Sequence, residues 1–403
     1  MLADLYPFPL GGVAGGLQRH VQILAERLSR SGHSVTAVAS KPGGAPHFEI
    51  RNGVNVYRFN GFLQRLPFLF KDPQRKYQPP VPDWLLMAKL KNIMKRERPD
   101  IIHAHGWALY SALPLAAEFQ IPVVVTLHDY RFICPKIALM DGDKICDNVL
   151  TGHCIDCGKG QYGLLKSFFA YWGVKSGVQR LESVAKFMAV SSFVKEAYKS
   201  NLGLDNEKIV VMPNFYEQPV VGEDTSKEHE LPGDFVLYVG TLMPEKGLNP
   251  LLEAFNRSRS GEAKLVVIGR KHPAYRYEST ESILIIEDAP AHVLLEAYPR
   301  CRFAFVPSVF PDPCPTVAFE IMSYKKAVVA SKIGGLTDIV ADGETGILVP
   351  PNNPGALRDA IIYLLENPGV AEEMGQKGYE RWRRLFTPEV VVPKIERIYQ
   401  SLL

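Results

Sequence analysis

The sequence predicts an α/β chain made of two doubly wound parallel-sheet domains in tandem. Three observations predict it. Short apolar, β-branched runs alternate with helical patterns along the chain. One polar stretch holding Pro and Gly, "EQPVVGEDTSKEHELPGD" (217–234), breaks that alternation near the middle. A length of 403 residues also exceeds what one ordinary core holds.

The elements follow in order. "LADLY" offers only a few residues before Pro7, so either the first strand is short or the true protein begins upstream of Met1. "GLQRHVQILAERLSRSG" (16–32) puts Val21, Leu24, Ala25 and Leu28 on one helical face and ends at Gly32. "SVTAVAS" (34–40), "DIIHAH" (100–105), "PVVVTLH" (122–128), "KFMAVS" (186–191) and "KIVVMPN" (208–214) read as buried strands. After the polar stretch, strands resume at "FVLYVG" (235–240), "AKLVVIG" (263–269), "ILIIED" (283–288), "FAFVPS" (303–308), "AVVAS" (327–331) and "GILVP" (346–350). The expected organisation is a first domain over 1–215, a linker region over 216–234, a second domain over 235–387 and a last helical segment over 388–403. Ligands of such domains bind at the carboxyl ends of the strands, so two facing domains are expected to make a cleft.

Composition excludes several classes. Hydrophobic residues at 46% and charged residues at 22% belong to a globular protein and not to a disordered one. No run approaches the roughly 18 uncharged apolar residues of a spanning helix. The start lacks a basic region followed by an apolar stretch, so no secretory signal is expected, and the default compartment is the cytoplasm. Net charge is +3. Residues 1–215 hold 26 Lys and Arg against 17 Asp and Glu, whereas 216–403 hold 20 against 26. A basic half beside an acidic half points the first half toward something anionic, with chance surface charge as the plain alternative. "GFLQRLPFLFKDPQRKYQ" (61–78) and "YGLLKSFFAYWGVKSGVQR" (162–180) mix bulky apolar with basic residues, which suits an anionic membrane surface as well as buried packing with basic edges. No nucleic-acid partner is expected.

Several motifs carry candidate chemistry. "GGVAGGLQRHV" (11–21) is a glycine loop running into a helix, where backbone N–H groups attract anions; a turn that merely needs glycine is the alternative. No register fits G-x-G-x-x-G, and no acidic residue ends the second strand, which disfavours a dinucleotide oxidoreductase. "VGTLMPEKGLNPLLEAF" (239–255) brings Lys246 to a loop–helix junction, where a diphosphate could meet a point charge and helix amides. His128 and Asp129 end a buried strand in "VVVTLHDY". His103 and His105, two apart, share a strand face and are expected to be structural or to contact substrate. Cys134, Cys146, Cys154 and Cys157 fall in a Gly- and Asp-rich insertion at about 134–160. The C-x-x-C pair within them suits a structural zinc; a redox pair or free thiols are the competing readings. Finally, "VFPDPCPTVAFE" (309–320) sets a proline-rich loop with Asp312 before a helix carrying Glu320. Pro315, with its fixed φ, suits the first turn of that helix.

The ordered set "GGLQRHVQILAERLSRSGHSV", "DIIHAHG", "IPVVVTLHD", "VMPN", "YVGTLMPEKGLNPLLEAF", "VPSVFPDPCPTVAFEIMSYKKAVVAS" and "GGLTDIVADGETGILVP" resembles the retaining nucleotide-sugar glycosyltransferases of family 4 over nearly the whole chain. The resemblance implies the GT-B fold, with two Rossmann-like domains facing across a cleft. It implies a C-terminal domain that binds the sugar nucleotide, an N-terminal one that mainly binds the acceptor, and a last helix that crosses back. The E-x7-E motif of that family falls on Asp312 and Glu320, with Glu320 on the ribose hydroxyls and Asp312 on the sugar hydroxyls. Amides of Cys314, Thr316 and Val317 would face sugar and phosphates. Lys246 matches the phosphate-binding lysine, His128 the sugar-contacting histidine, and Gly15 and Gly16 the glycine loop near the diphosphate.

Two positions depart from the family pattern. The arginine usual five residues before the lysine is Thr241, which can donate one hydrogen bond but brings no charge; Arg270 is the candidate to replace it. The first motif carboxylate is Asp instead of Glu. The implied activity is transfer of a hexose-type unit from a nucleotide diphosphate sugar to a glycan or lipid-linked acceptor, retaining configuration, with no catalytic metal expected. Cell-surface polysaccharide or glycolipid assembly is the implied setting, in the cytoplasm and peripheral on the inner face of the membrane. A sugar-nucleotide epimerase or phosphorylase of the same fold stays open, as does a nucleotide- or carbohydrate-binding protein without catalysis.

Overall fold

The computed structural model of the chain describes residues 1–403 except 5, 8–14, 67–77, 220–229, 259, 260 and 262. The first part of the glycine loop, most of the 61–78 segment and much of the 216–234 linker region therefore lie outside the described residues. The chain forms two compact units, Met1–Pro213 with Val391–Leu403, and Asn214–Val390.

The first unit contains α1 (Gly16–Arg30), β1 (Val35–Ala39), β2 (Phe48–Arg51), β3 (Val54–Arg58), α2 (Trp84–Glu97), β4 (Ile102–Ala104), α3 (Leu109–Phe119) and β5 (Val123–Leu127). It continues with β6 (Met140–Asp141), β7 (Lys144–Ile145), α4 (His153–Tyr162), α5 (Leu164–Val178), β8 (Lys186–Ala189), α6 (Ser192–Leu202) and β9 (Ile209–Val211). Helix α1 buries Val21, Leu24, Ala25 and Leu28 and is closed by Ser31, with Gly32 following at φ +94°. The strands run β2-β3-β1 and β4-β5-β8-β9. Leu2 joins the two sets, bridged in parallel to both Val38 and Ala104. Its N–H donates to the His103 carbonyl and its carbonyl accepts from the His105 N–H, each at 2.8 Å. The first strand is thus a short segment at the centre of the sheet. Counted from it, the parallel strands lie in the order 3-2-1-4-5-6-7, with β2 antiparallel at one edge.

The second unit contains β10 (Phe235–Val239), α7 (Leu248–Arg257), β11 (Lys264–Gly269), β12 (Ile283–Glu287), α8 (Ala291–Arg300), β13 (Ala304–Val306) and α9 (Thr316–Ser323). Then follow β14 (Val328–Ser331), α10 (Leu336–Ile339), β15 (Gly346–Val349), α11 (Pro354–Glu366), α12 (Pro368–Leu385) and α13 (Pro388–Gln400), the last of which belongs to the first unit from Val391 on. The sheet is wholly parallel, in the order β12-β11-β10-β13-β14-β15. Again this is 3-2-1-4-5-6, the doubly wound order. Helices cover both faces, so β10, β13 and β14 are apolar on both sides. Val236, Tyr238, Leu251, Phe255, Val267, Phe305 and Ile361 share one core cluster, each burial contributing about 1.5–3 kcal/mol for the larger aliphatic and aromatic side chains.

Gly247 is a position of this unit that tolerates only glycine. Gly247 takes φ +77°, and a Cβ built on it would lie 1.7 Å from the Pro307 carbonyl oxygen. The loop after β10 therefore rests directly on the loop after β13. Gly247→Ala should lower the unfolding free energy by about 2–3 kcal/mol through left-handed strain and the clash. Urea unfolding followed at the second unit measures this, and an unchanged midpoint would show that the loops do not approach so closely.

Candidate active site

Strand order in the second unit reverses between β10 and β13, where the carboxyl ends of doubly wound strands leave a crevice. Beyond β10 the chain passes Thr241 into a short 3-10 turn, Pro244–Lys246, and through Gly247 into α7. Beyond β13 it passes the proline loop into α9. The loops interlock: the Val309 N–H donates to the Glu245 carbonyl at 3.0 Å. Lys246 Nζ donates to Asp312 Oδ2 at 2.5 Å, 66 residues away in sequence, and lies 4.9 Å from the Phe310 ring centroid. Asp312 is only 6% exposed. Its carbonyl accepts from the Gly335 N–H at 2.8 Å, and Gly334, at φ +60°, leaves no room for a Cβ beside that carbonyl.

Helix α9 begins at Thr316, with Pro315 capping it at φ −70° from just outside. Pro315 therefore precedes the first turn that the sequence reading assigned to it. Thr316 and Val317 open the helix, where N–H groups have no intrahelical acceptor and the dipole is positive. Cys314 is buried, its thiol pushed up by burial, and its carbonyl accepts from Asn214 Nδ2 at 3.4 Å. Glu320 lies one turn into α9, where its Oε2 accepts from the Tyr298 hydroxyl at 2.6 Å. Tyr298 is held in turn against Tyr324, with ring centroids 5.2 Å apart and planes at 10°. The carbonyl of Thr241 accepts from the Tyr238 hydroxyl at 3.2 Å and the Met243 N–H at 2.9 Å. Arg270 follows β11, the neighbouring strand, and its carbonyl accepts from the Leu242 N–H at 2.9 Å. Arg270 and Thr241 thus occupy adjacent strand ends.

In the first unit the strand ends carry histidines. His105 follows β4, His128 follows β5, and His105 Nδ1 lies 2.9 Å from His128 Nε2. One of these nitrogens must donate and the other accept, so each ring fixes the tautomer of the other. His20, four residues beyond Gly16 on α1, puts its ring 5.0 Å from that of His128. Gly15, which caps α1, has its N–H bound by Gln18 Oε1 at 2.8 Å. His103 Nε2 lies 2.7 Å from Thr126 Oγ1 and its Nδ1 2.6 Å from the hydroxyl of Tyr399 on α13. Beside this group, the buried Arg131 guanidinium binds both Asp129 oxygens and Asp4. Burial alone would lower its pKa, but Asp129 and Asp4 more than offset that and hold it charged.

The structure therefore gathers the sequence candidates into two groups, one in each unit. Lys246 touches Asp312; Cys314, Thr316, Val317 and Glu320 share one loop and helix; Thr241 and Arg270 follow the adjacent strands β10 and β11. His128 stands beside His20 of α1, the helix that Gly15 caps and Gly16 opens. The sequence reading missed Tyr298, His20, Arg131 and the Gly334–Gly335 pair. The glycine pair was the one with a local signal, a "GG" shortly after a strand. Cys134, Cys146, Cys154 and Cys157 are all free thiols. Among the described residues, the metal-ligating atoms that lie within 4.8 Å of one another belong to Asp141, His153 and Cys157, a set that shares only Cys157 with the four thiols.

Solved structures share this architecture over the full chain. Sucrose-phosphate synthase from Thermosynechococcus elongatus superposes with a TM-score of 0.74 at 21% identity, covering 100% of this chain and 98% of that one. Anabaena HepE in complex with UDP-glucose gives 0.68 at 17%, covering 99% of each. The fold is that of the GT-B glycosyltransferases. Residues 14–217 match the family described as Glycosyltransferase Family 4 and residues 223–381 that described as Glycosyl transferases group 1. The first match takes in half of the chain, which belongs to glycosyltransferase family 4. Among curated relatives, a glycosyltransferase of Methanocaldococcus jannaschii is 27% identical over 77% of this chain and 78% of its own length. Glycogen synthase of Mycobacterium tuberculosis is 24% identical over 96% and 91%.

The histidine group has a measurable consequence. Burial drives the pKa values of His20, His103 and His105 well below the ordinary 6.5. The unfolded chain takes up protons near 6.5 that the folded rings refuse, so stability is full above that pH and is lost as pH falls. Each ring contributes about 1.4 kcal/mol per pH unit in that window. Urea midpoints taken between about pH 7 and pH 5 should fall steeply, and His103→Gln should flatten the slope; an equal slope in both proteins would place the titration elsewhere.

Proposed function

We propose that this glycosyltransferase moves a sugar from a nucleotide diphosphate sugar to a glycan or lipid-linked acceptor with retention of configuration, in cell-surface polysaccharide or glycolipid assembly. The Asn214–Val390 unit takes the donor and the Met1–Pro213 unit takes the acceptor. The observation that carries this reading is the Lys246–Asp312 pair at the reversal of strand order, beside the start of α9. The UDP-glucose complex of the Anabaena protein and the glycogen synthase relationship support it.

The roles follow from the groups present. Lys246 has three N–H donors and spends one on Asp312, which holds the ammonium in place for a diphosphate. As the sugar–phosphate bond breaks, negative charge grows on the leaving diphosphate. Lys246 and the first amides of α9, Thr316 and Val317, stabilise that charge with little reorganisation, and the amide of Cys314 adds a donor. Arg270 supplies the second cation, and Thr241 adds a hydrogen bond where the family carries charge. Asp312 engages Lys246 through Oδ2, and its other oxygen accepts from a sugar hydroxyl. Glu320, oriented by Tyr298, accepts from the ribose hydroxyls. In the other unit, His128 meets a sugar hydroxyl and the helix start at Gly15 and Gly16 meets a phosphate. The resemblance to retaining enzymes implies a front-face displacement in which the leaving diphosphate helps deprotonate the acceptor. No protein nucleophile and no metal ion are assigned a step.

Lys246→Ala and Glu320→Ala should each lower kcat by about 10²–10³ with the fold intact by circular dichroism. Lys246→Ala also leaves the buried Asp312 carboxylate unpaired, so Lys246→Ala with Asp312→Asn separates lost stability from lost chemistry. Turnover near wild type in either single variant refutes the assignment. A thermal-shift panel of nucleotide diphosphate sugars names the donor by its largest stabilisation.

The lipid side of the reading rests on α5. Leu165, Phe169 and Trp172 are 69%, 63% and 49% exposed, with Leu164 and Phe168 beside them. The helix has Lys166 and Lys175 and no acidic residue. Such a face suits the interface of an anionic bilayer. Among the described residues, no helix is long and apolar enough to cross a membrane. The protein should co-sediment with anionic vesicles at low salt, and Phe169→Ser with Trp172→Ser should reduce the bound fraction severalfold. Absence of wild-type co-sedimentation counts against this part.

A further inference from the structure

We propose that the insertion after β5 binds a zinc ion through Asp141, His153 and Cys157. The local sequence builds the site from two pieces. Residues 140–145 read "MDGDKI", in which Gly142, at φ +57°, lets the chain reverse between β6 and β7. These antiparallel strands are two residues each, pairing Met140 with Ile145 and Asp141 with Lys144. A hairpin of this size has too few ladder bonds and too little apolar cover to stand alone. The second piece is α4, where His153 is the first residue and Cys157, four further on, lies on the same face.

The ligand atoms already converge. Asp141 Oδ2 is 2.8 Å from His153 Nε2, and the Cys157 sulfur completes a set whose members all lie within 4.8 Å. Tetrahedral ligands at zinc–donor distances of about 2.0–2.3 Å would stand roughly 3.3–3.8 Å apart, which small side-chain rotations supply. The surroundings suit a metal-bound thiolate. Lys136 Nζ stands 3.3 Å from the Cys157 sulfur and also donates to the Met140 carbonyl at 3.3 Å, so it ties the hairpin to the same sulfur. An ammonium in that place is an outer-sphere partner for a ligating thiolate.

The donor set selects the ion. One imidazole, one thiolate and one carboxylate match zinc, whereas calcium and magnesium require oxygen ligands throughout. All three side chains are partly solvent-exposed, which gives the ion a route in and leaves its fourth position to water. Binding releases the Cys157 thiol proton to solvent and removes the direct Asp141–His153 hydrogen bond, and the ion then joins the hairpin to α4. Helix α4 itself packs on α5 at its middle, where a Cβ on Gly158 would lie 2.8 Å from the Ser167 hydroxyl oxygen.

The test uses the full-length protein, purified reduced and without chelator. Zinc is counted by mass spectrometry of the metal, and affinity is measured by competition with a chromophoric chelator. About one zinc per chain is expected. His153→Ala and Asp141→Asn should each weaken binding by tenfold or more, Cys157→Ser should abolish it, and Cys134→Ser and Cys154→Ser should leave it within threefold. Cys157→Ser can disturb the fold of the segment, so the two half-exposed positions, 141 and 153, carry the decision, with circular dichroism as control. Absence of zinc binding by the wild type overturns the proposal. So does unchanged affinity in His153→Ala and Asp141→Asn together with loss in Cys134→Ser or Cys154→Ser, which would assign the ion to the four thiols. None of these readouts depends on transferase activity.

Discussion

The close approach of two loops at the strand-order reversal, closed by the Lys246–Asp312 ion pair, is the constraint on which the proposed donor site depends. The loops can meet only because Gly247 has no Cβ to strike the Pro307 carbonyl. Once they meet, an ammonium from the β10 side and a carboxylate from the β13 side come into contact. Asp312 is buried, so breaking this pair would leave a charge uncompensated, at a cost of about 3–5 kcal/mol. The same pair therefore contributes to the fold and sets the position of the cation. Gly334 and Gly335 fix it from a third side, through the Asp312 carbonyl.

Most of the architecture was legible in the sequence because it rests on local signals. Buried parallel strands are continuous apolar runs, and each of the eleven quoted runs contains or overlaps a strand of the structure. The exceptions have physical causes. The Leu2 segment is a strand by its bonds to both neighbours and carries almost no length for a pattern to act on. Strands β2 and β3 form an edge ribbon with mixed burial and were not singled out. The β6–β7 hairpin is two residues deep, below the reach of any periodicity.

Side-chain chemistry was legible only where one residue announces itself. Lys246 and Asp312 stand in marked loops, and Glu320 follows Asp312 within the same quoted run. Tyr298 could not be found this way. It is one aromatic on an ordinary amphipathic helix, and its bond to Glu320 spans 22 residues and two elements. The histidines show the same limit. "HAH" and "LHD" are visible separately, but the His105–His128 bond exists because β4 and β5 are adjacent in register. The cysteines show it too: the four thiols are visible in the sequence, but that the hairpin brings Asp141 and folding brings His153 to Cys157 is not.

The two units share a strand order and differ in what stands at its reversal. In the second unit the reversal holds a half-exposed lysine beside a helix N-terminus. Both are positive, and both suit a ligand whose charge rises during reaction. In the first unit it holds histidines kept uncharged by burial, with Arg131 bound to two carboxylates. Neutral imidazoles offer one donor and one acceptor each and attract no net charge, which suits hydroxyls better than phosphates. The proposed transfer uses this division: the nucleotide diphosphate sugar is an anion whose leaving group becomes more negative, and the acceptor reacts through a hydroxyl. Two copies of one topology can supply both because strand ends fix where side chains gather, while the residues that follow each strand set the charge.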